Sequence, residues 1–270
     1  MIFSYNSPST SYLTGYGSPN TQIIVITPTY RRATRLADMT RLSNTLRFIP
    51  DLIWVVIEDG NLLVDVVSKL LDRSNVTYYY MAYKTKPGYP KRGWYQRDMA
   101  LEFLRKNAAQ ITNGYQHSVV YFADDDNSYD VRLFTDYLRN IHRAGVWAVG
   151  LVGGAPVESP VVQNNTVIGW HVKWNPKRRF ATDMAGFAVS LNLILNSNAK
   201  FGTDCKRGAG APETCFLEDL GLTIYDLEPF GFDDQPTLSN KKKELLVWHT
   251  KTVPVKFNKT KVDFMGFMVE

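Results

Sequence analysis

Three adjacent carboxylates, Asp124, Asp125 and Asp126, follow the apolar run HSVVYFA (117–123) directly. Side by side they repel one another unless a cation or hydrogen-bond donors offset the charge. A solvated acidic turn is the plain alternative, but a position at the end of a buried β-type run favours a ligand site. Hard divalent cations such as Mg²⁺ and Mn²⁺ take one or two carboxylates and complete their shell with phosphate oxygens. A basic set stands earlier in the chain, with Arg92 and Arg97 around a predicted helix start. Guanidinium forks suit phosphate and carboxylate alike, and a helix N-terminus adds backbone N–H groups. Arginine on an exposed helix face is nonetheless commonplace. His249 ends the apolar run LLVWHT, a setting more typical of a core histidine than of a ligand. Lys251, two residues on, shares a strand face with it. Glu213 follows Pro212 in APETCFLEDLGL. Proline fits the first turn of a helix, so Glu213 is expected near a positive helix end, where a carboxylate stays ionised at neutral pH. A glutamate that merely complements the helix dipole has the same signature. No G-x-S-x-G, H-E-x-x-H, P-loop or G-x-G-x-x-G motif offers another chemistry.

The elements that must hold these residues alternate. QIIVITP (22–28), LIWVVIED (52–59), VTYYYMA (76–82) and HSVVYFA are short β-branched or aromatic runs of buried-strand type. Between them lie helical periodicities over 33–48, through Leu63 to Leu71, and from Trp94. A further helix is expected near 130–143, then one strand over VWAVGLVG (146–153). Such alternation predicts an α/β fold with a mostly parallel sheet, whose ligands sit beyond the carboxyl ends of the strands. Pro28 to Tyr30, Asp59 and Asp124 to Asp126 all fall at such ends. TVIGWHVKW (166–174), MAGFAVSL (184–191) and LLVWHT (245–250) read as strands or short buried elements without regular alternation. The expected organisation is an irregular arm over 1–21, a nucleotide lobe over 22–153 and a second lobe over 154–270.

The 31 basic and 26 acidic residues leave a charge of only +5, too dilute for the basic stripe of a nucleic-acid binder. No run reaches the length of a membrane span, and no signal peptide is visible. Sequons stand at Asn75, Asn164 and Asn258. The two cysteines, Cys205 and Cys215, permit either a disulfide or two free thiols, because spacing does not fix geometry.

Seven blocks together resemble the animal β-1,3-glucuronyltransferases: TPTYRR (27–32), VIEDG (56–60), RGWYQRDMAL (92–101), VVYFADDDNSY (119–129), GLVGG (150–154), DMAGFAVSL (183–191) and LVWHT (246–250). They run in the family's order from about residue 22 to 251. The resemblance implies a GT-A-type glycosyltransferase fold, with a Rossmann-like nucleotide lobe packed on an acceptor-binding lobe. It implies UDP-glucuronic acid as donor, Mn²⁺ as cofactor, inversion at the anomeric carbon and a galactose-terminated glycan as acceptor. It also implies a homodimer in the Golgi lumen, held to the membrane only through an anchor that this chain does not show.

Carried over by position, Pro28, Thr29, Tyr30 and Asp59 match the uridine segments, with Tyr30 stacking on the base. Arg92 and Arg97 match the basic pair at the diphosphate and donor sugar. Asp124 and Asp125 match residues that hold ribose and donor-sugar hydroxyls, and Asp126 matches the direct metal ligand. His249 and Lys251 match the diphosphate and glucuronate end, although arginine is common at the latter position. Glu158, Arg178 and Asp183 match galactose contacts, and Glu213 matches the catalytic base. The neighbourhood of that base departs from the family. RGAGAPETCF puts Glu213 five residues after Gly208, followed by Thr214 and Cys215 where serines are usual, so Glu218 is the fallback. Competing readings are the same fold with UDP-xylose or a related donor, a catalytically silent glycan-binding protein, and a metal-dependent phosphohydrolase.

Overall fold

A computed structural model of the chain describes residues 3–6, 21–232 and 243–253. In chain order the first half contains β1 (Phe3–Asn6), β2 (Thr21–Thr29), α1 (Arg35–Leu46), β3 (Leu52–Glu58), α2 (Asp65–Ser74), β4 (Thr77–Ala82), α3 (Trp94–Thr112), β5 (His117–Phe122), β6 (Ser128–Tyr129), β7 (Ala144–Val146) and β8 (Val149–Val152). The second half contains β9 (Ala155–Gln163), β10 (Thr166–His171), β11 (Phe187–Ser190), α4 (Leu191–Leu195), α5 (Pro212–Asp219), β12 (Glu228–Pro229) and β13 (Val247–Trp248).

An eight-stranded sheet runs in the order β1-β4-β3-β2-β5-β11-β7-β12. Its centre, β4-β3-β2-β5, is parallel, as alternation with α1, α2 and α3 requires. Successive side chains on a strand face opposite sides, and here both sides are covered. Ile24, Ile26, Val55, Ile57, Val120 and Phe122 pack with Leu101 and Leu104 of α3. Ile23, Val25, Trp54, Val56, Val119 and Tyr121 pack with Met39, Leu42 and Leu46 of α1 and with Val67 and Leu71 of α2. That double burial is why these strands read as continuous apolar runs. Thr29 lies opposite Glu58, and Glu58 opposite Ala82, so the strands end together on one edge.

Several expectations give way here. The 1–21 arm contains a strand at Phe3–Asn6, antiparallel to β4. The 146–153 run is not one strand: the chain leaves the large sheet after β7 and enters a second sheet, ordered β10-β9-β8-β13-β6. Trp147 causes the break, because its indole is 2% exposed and donates to the Ala185 carbonyl at 2.9 Å, turning the chain inward. In place of a regular helix over 130–143 there is a π-helical stretch at Leu133–Tyr137 and a 3-10 turn at Leu138–Asn140. Leu133, Phe134 and Leu138 are fully buried there, and Arg139 donates to the Thr21 and Pro50 carbonyls. Tertiary contacts therefore override the helical repeat. Both sheets draw on residues before and after the boundary expected at 153/154. Among the described residues no helix is long and apolar enough to cross a membrane.

Candidate functional site

The parallel strands deliver their carboxyl ends to one edge, and the polar residues predicted there arrive with their own partners. The Asp59 amide donates to the Thr29 carbonyl at 2.7 Å, and both Asp59 carboxylate oxygens accept from Thr85, its amide at 2.7 Å and its hydroxyl at 2.8 Å. Tyr30 is 56% exposed, with the Arg32 guanidinium 5.0 Å from its ring centre, so one face-sized apolar surface stands open beside a cation. Pro28 packs under Gly93, the residue that caps α3 with a φ of +73°. A Cβ on Gly93 would lie 2.8 Å from Arg97 Nη1 and 2.9 Å from Pro28 Cβ. That position therefore requires glycine on both steric and backbone grounds.

The three aspartates have separate environments. Asp125 is buried, and Arg32 grips it in bidentate fashion at 2.9 and 2.8 Å while the Thr29 hydroxyl adds a third bond at 2.7 Å. Burial pushes its carboxyl above the usual range, and Arg32 works in the opposite direction. Asp124 pairs with the buried Arg97, whose Nη1 also donates to the Arg92 carbonyl at 3.0 Å. The Asp126 carboxylate is half-buried and has no hydrogen bond or ion pair among the described residues. Burial, then its neighbours Asp124 and Asp125, push it up to about 6. Only its backbone is tied down: the Asp126 carbonyl accepts from Arg41 at 2.6 Å and from Thr250 at 2.5 Å. An exposed-edge oxygen donor with unmet charge fits a hard divalent cation. No cluster of three metal-ligating side chains exists among the described residues.

The segment carrying His249 is held by hydroxyls that alternate with its functional groups. Thr250 bonds Asp126, and the Thr252 hydroxyl donates to Asp38 at 2.5 Å. Asp38 also accepts from Arg32 at 3.0 Å, so the segment, α1 and the Asp125 pair form one network. His249 Nδ1 lies 3.3 Å from Asp183, which raises the imidazole's pKa against the opposing effect of burial. The other Asp183 oxygen accepts from the Ala185 amide at 2.9 Å.

A cleft of about 970 Å³ brings together Arg92, Glu158, Arg178, Asp183, Glu213, His249 and Lys251. The tight β8–β9 turn at Gly153 and Gly154 forms part of its wall, and a side chain on Gly153 would overlap the Glu158 carboxylate. Arg178 is 8% exposed, its guanidinium 4.6 Å from the centre of the Trp174 ring. Glu213, second residue of α5, is 8% exposed and its Oε2 has no partner. It is not ionised by its helix end as expected. Burial, then Asp183, push its pKa up to about 7, against its own backbone amide, Arg178 and Arg97. A carboxyl poised near neutrality can take a proton and return it. Glu218 instead pairs with Arg207 at 2.9 Å and Arg179 at 3.6 Å. Cys205 and Cys215 are joined in a disulfide.

Sequence reasoning missed Arg32, Asp38, Arg41, Thr85 and Thr250. Arg32 and Thr250 lie inside the blocks TPTYRR and LVWHT, so the signal was present without an assigned role. The others depend on packing that no local pattern reveals.

The sequence profile of glycosyltransferase family 43 matches residues 42–269. The chain is 38% identical over 253 residues to the galactosylgalactosylxylosylprotein 3-beta-glucuronosyltransferase sqv-8 of Caenorhabditis elegans, covering 89% of this chain and 67% of that protein. It is 40% identical over 261 residues to galactosylgalactosylxylosylprotein 3-beta-glucuronosyltransferase 1 of Homo sapiens, covering 92% and 74% respectively. Among solved structures, S. aureus TarS 1-349 superimposes with a TM-score of 0.51 at 16% identity, over 84% of this chain and 60% of that one. That likeness concerns the fold alone, which is of the GT-A glycosyltransferase type.

Proposed function

The chain belongs to glycosyltransferase family 43, and from that premise we propose that it transfers glucuronic acid from UDP-glucuronic acid to the 3-hydroxyl of a terminal galactose, with inversion. The observation that carries this reading is the Glu213 carboxyl, buried, with Oε2 unpartnered, and poised near neutrality in a cleft with Arg178, Asp183 and His249. The relatives' names support the donor sugar and the galactoside acceptor.

In this reading Tyr30, Pro28, Thr29 and Asp59 receive the uridine at the sheet edge. Arg92, Arg97, His249 and Lys251 meet the diphosphate and the glucuronate carboxylate, whose burial without partners would be costly. Glu158, Arg178 and Asp183 orient the galactose. Ionised Glu213 accepts the proton of the 3-hydroxyl as that oxygen bonds to the anomeric carbon and the bond to UDP breaks. Asp124 serves mainly to fix Arg97, and Asp125 to fix the turn through Arg32. Mn²⁺ held by Asp126 and the diphosphate oxygens would supply Lewis-acid neutralisation of the leaving group. A homodimer working in the Golgi lumen belongs to the same reading, and the Cys205–Cys215 disulfide supports an oxidising compartment.

The test is incubation with UDP-glucuronic acid or UDP-xylose, with and without Mn²⁺, and a panel of galactose-terminated acceptors. Metal-dependent UDP release with a new glucuronosyl linkage to the galactose 3-position is expected. Xylose transfer, or UDP release without a galactoside product, would refute the assignment.

A further inference from the structure

Two of the three sequons fall within the described residues, and the fold presents them differently; the third, at Asn258, lies outside those residues. Asn164 and Asn165 make the two-residue connection between β9 and β10, with φ of 51° and 55°. Paired left-handed residues are the geometry of a tight hairpin turn, and asparagine tolerates it. Asn164 is exposed, and the Thr166 hydroxyl turns back to the Asn164 carbonyl at 3.3 Å. The whole tripeptide therefore stands at a hairpin tip.

Asn75 is exposed as well, but its sequon runs straight into the core. It is the left-handed cap of α2, Val76 is 6% exposed with its amide on the Ser74 hydroxyl, and Thr77 is already paired opposite Ile53 in β4. A bulky acceptor complex has room around the first tripeptide and little around the second.

The hairpin tip is also where a bulky polar group would be useful. β10 is the outer strand of the second sheet, and Ile168 on it is 47% exposed. Ile224–Asp226 and β12 pack against β10 as well, so what the strand leaves uncovered is the apolar side chain of Ile168, at a bulge where an outer strand is open to another chain. Strands rise about 3.3 Å per residue, so Asn164 stands about 20 Å along β9 from Glu158 in the cleft. A group attached there leaves the cleft open.

We propose that Asn164 is an N-glycosylation site and that its glycan shields the β10 edge. The proposal rests on the secretory-pathway reading given above, which the buried Cys205–Cys215 disulfide supports separately. In the modification the Asn164 amide nitrogen bonds to the anomeric carbon of an oligosaccharide carried on a lipid diphosphate. The carbon–oxygen bond to that diphosphate breaks, the lipid diphosphate leaves, and the amide gives up one proton. Thr166 completes the acceptor motif.

The full chain is expressed behind a cleavable signal peptide in cells whose secretory pathway N-glycosylates. The secreted protein is then deglycosylated by peptide N-glycosidase in heavy-oxygen water and mapped by mass spectrometry. Asn164 is expected as labelled aspartate. Asn164→Gln and Thr166→Ala should each lose one glycan's mobility shift, keep transfer activity, and show a larger aggregated fraction. A secreted chain with Asn164 unlabelled overturns the site, whatever happens at Asn75 or Asn258. Labelling without any rise in aggregation of Asn164→Gln overturns the shielding role. Labelling here, together with a native protein found outside the secretory pathway, overturns the location and with it the native modification, and shows only that the tip is accessible.

Discussion

Replacing Glu213 by glutamine should damage catalysis and stabilise the protein at the same time. Burial and Asp183 raise this carboxyl from its ordinary 4.5 to about 7. The folded chain therefore keeps a proton that the unfolded chain has already released, and stability declines as pH rises between those two values. One pH unit corresponds to ~1.4 kcal/mol, so above the window the ionised carboxylate costs the fold roughly 3 kcal/mol. Glutamine has the same shape and no charge to desolvate. Glu213→Gln should consequently be more stable than the parent by up to roughly 3 kcal/mol at about pH 8, a shift of several degrees in Tm, and equal to it near about pH 4. Transfer should fall by about 10²–10⁴, because the amide cannot accept the galactose proton. Thermal denaturation at both pH values without donor or metal, alongside UDP release, measures the two effects. Glu218→Gln is the control: it should keep its activity, since its carboxylate is engaged by Arg207. A stability gain of equal size at both pH values would refute the desolvation argument. A Glu213→Gln enzyme that still transfers would remove Glu213 from the chemistry.

The same carboxyl predicts a pH–rate profile. With Glu213 as the base, kcat/KM should climb about tenfold per unit below about 7 and level off above it, and a flat profile across that value would count against the role. Asp126→Ala should abolish transfer and remove the Mn²⁺-dependent part of UDP binding measured by calorimetry, leaving the thermal transition in place. Unchanged metal-dependent binding would move the ligand elsewhere. Arg97→Ala should lose UDP-glucuronic acid by roughly 10–150-fold, the worth of one charge-assisted hydrogen bond, and lose less for UDP itself. Equal losses would make Arg97 a diphosphate contact only. Thr250→Val breaks the hydroxyl bond to the Asp126 carbonyl and should raise donor KM roughly 2–10-fold, with Thr250→Ser restoring it. No rescue by serine would refute a positioning role for that hydroxyl.

What the sequence disclosed follows from what is local. The central strands are buried on both faces, so Ile23 to Ile26 and Val55 to Ile57 announce themselves as apolar runs wherever they pair. Asp126, Glu213 and His249 stand at element ends that short patterns mark well. The split between β7 and β8 was hidden, because VWAVGLVG is equally apolar whether it continues one sheet or crosses to another. Trp147 decides the matter through a bond to Ala185, 38 residues away. The Arg32–Asp125 pair joins residues 93 positions apart, and nothing near either one announces it. That pair also changes the meaning of the acidic triplet. Three carboxylates in a row look like one charge cluster, yet two are matched by Arg97 and Arg32, and of the three only the Asp126 carboxylate has no partner among the described residues.

The residues before Glu213 show how that side chain reaches the cleft despite the departure in sequence. Ala209 and Gly210 take left-handed conformations, with φ of 51° and 90°, and fold the extra length back on itself. The loop is closed by the bridge from Cys205 to Cys215, two residues beyond Glu213. Closing a loop of that length removes about 3 kcal/mol of chain entropy from the unfolded state. Both sulfur-bearing side chains are buried, and a Cβ on Gly208 would lie 2.8 Å from the Cys205 sulfur, so the loop packs directly against its own tether. On the other side the Thr214 hydroxyl donates to the Phe180 carbonyl at 3.0 Å, two residues from Arg178. Glu213 is thus fixed by its immediate neighbour and by the bridge just beyond it. Held at that point, the carboxyl stays buried and close to Asp183, the two causes that raise its pKa to about 7.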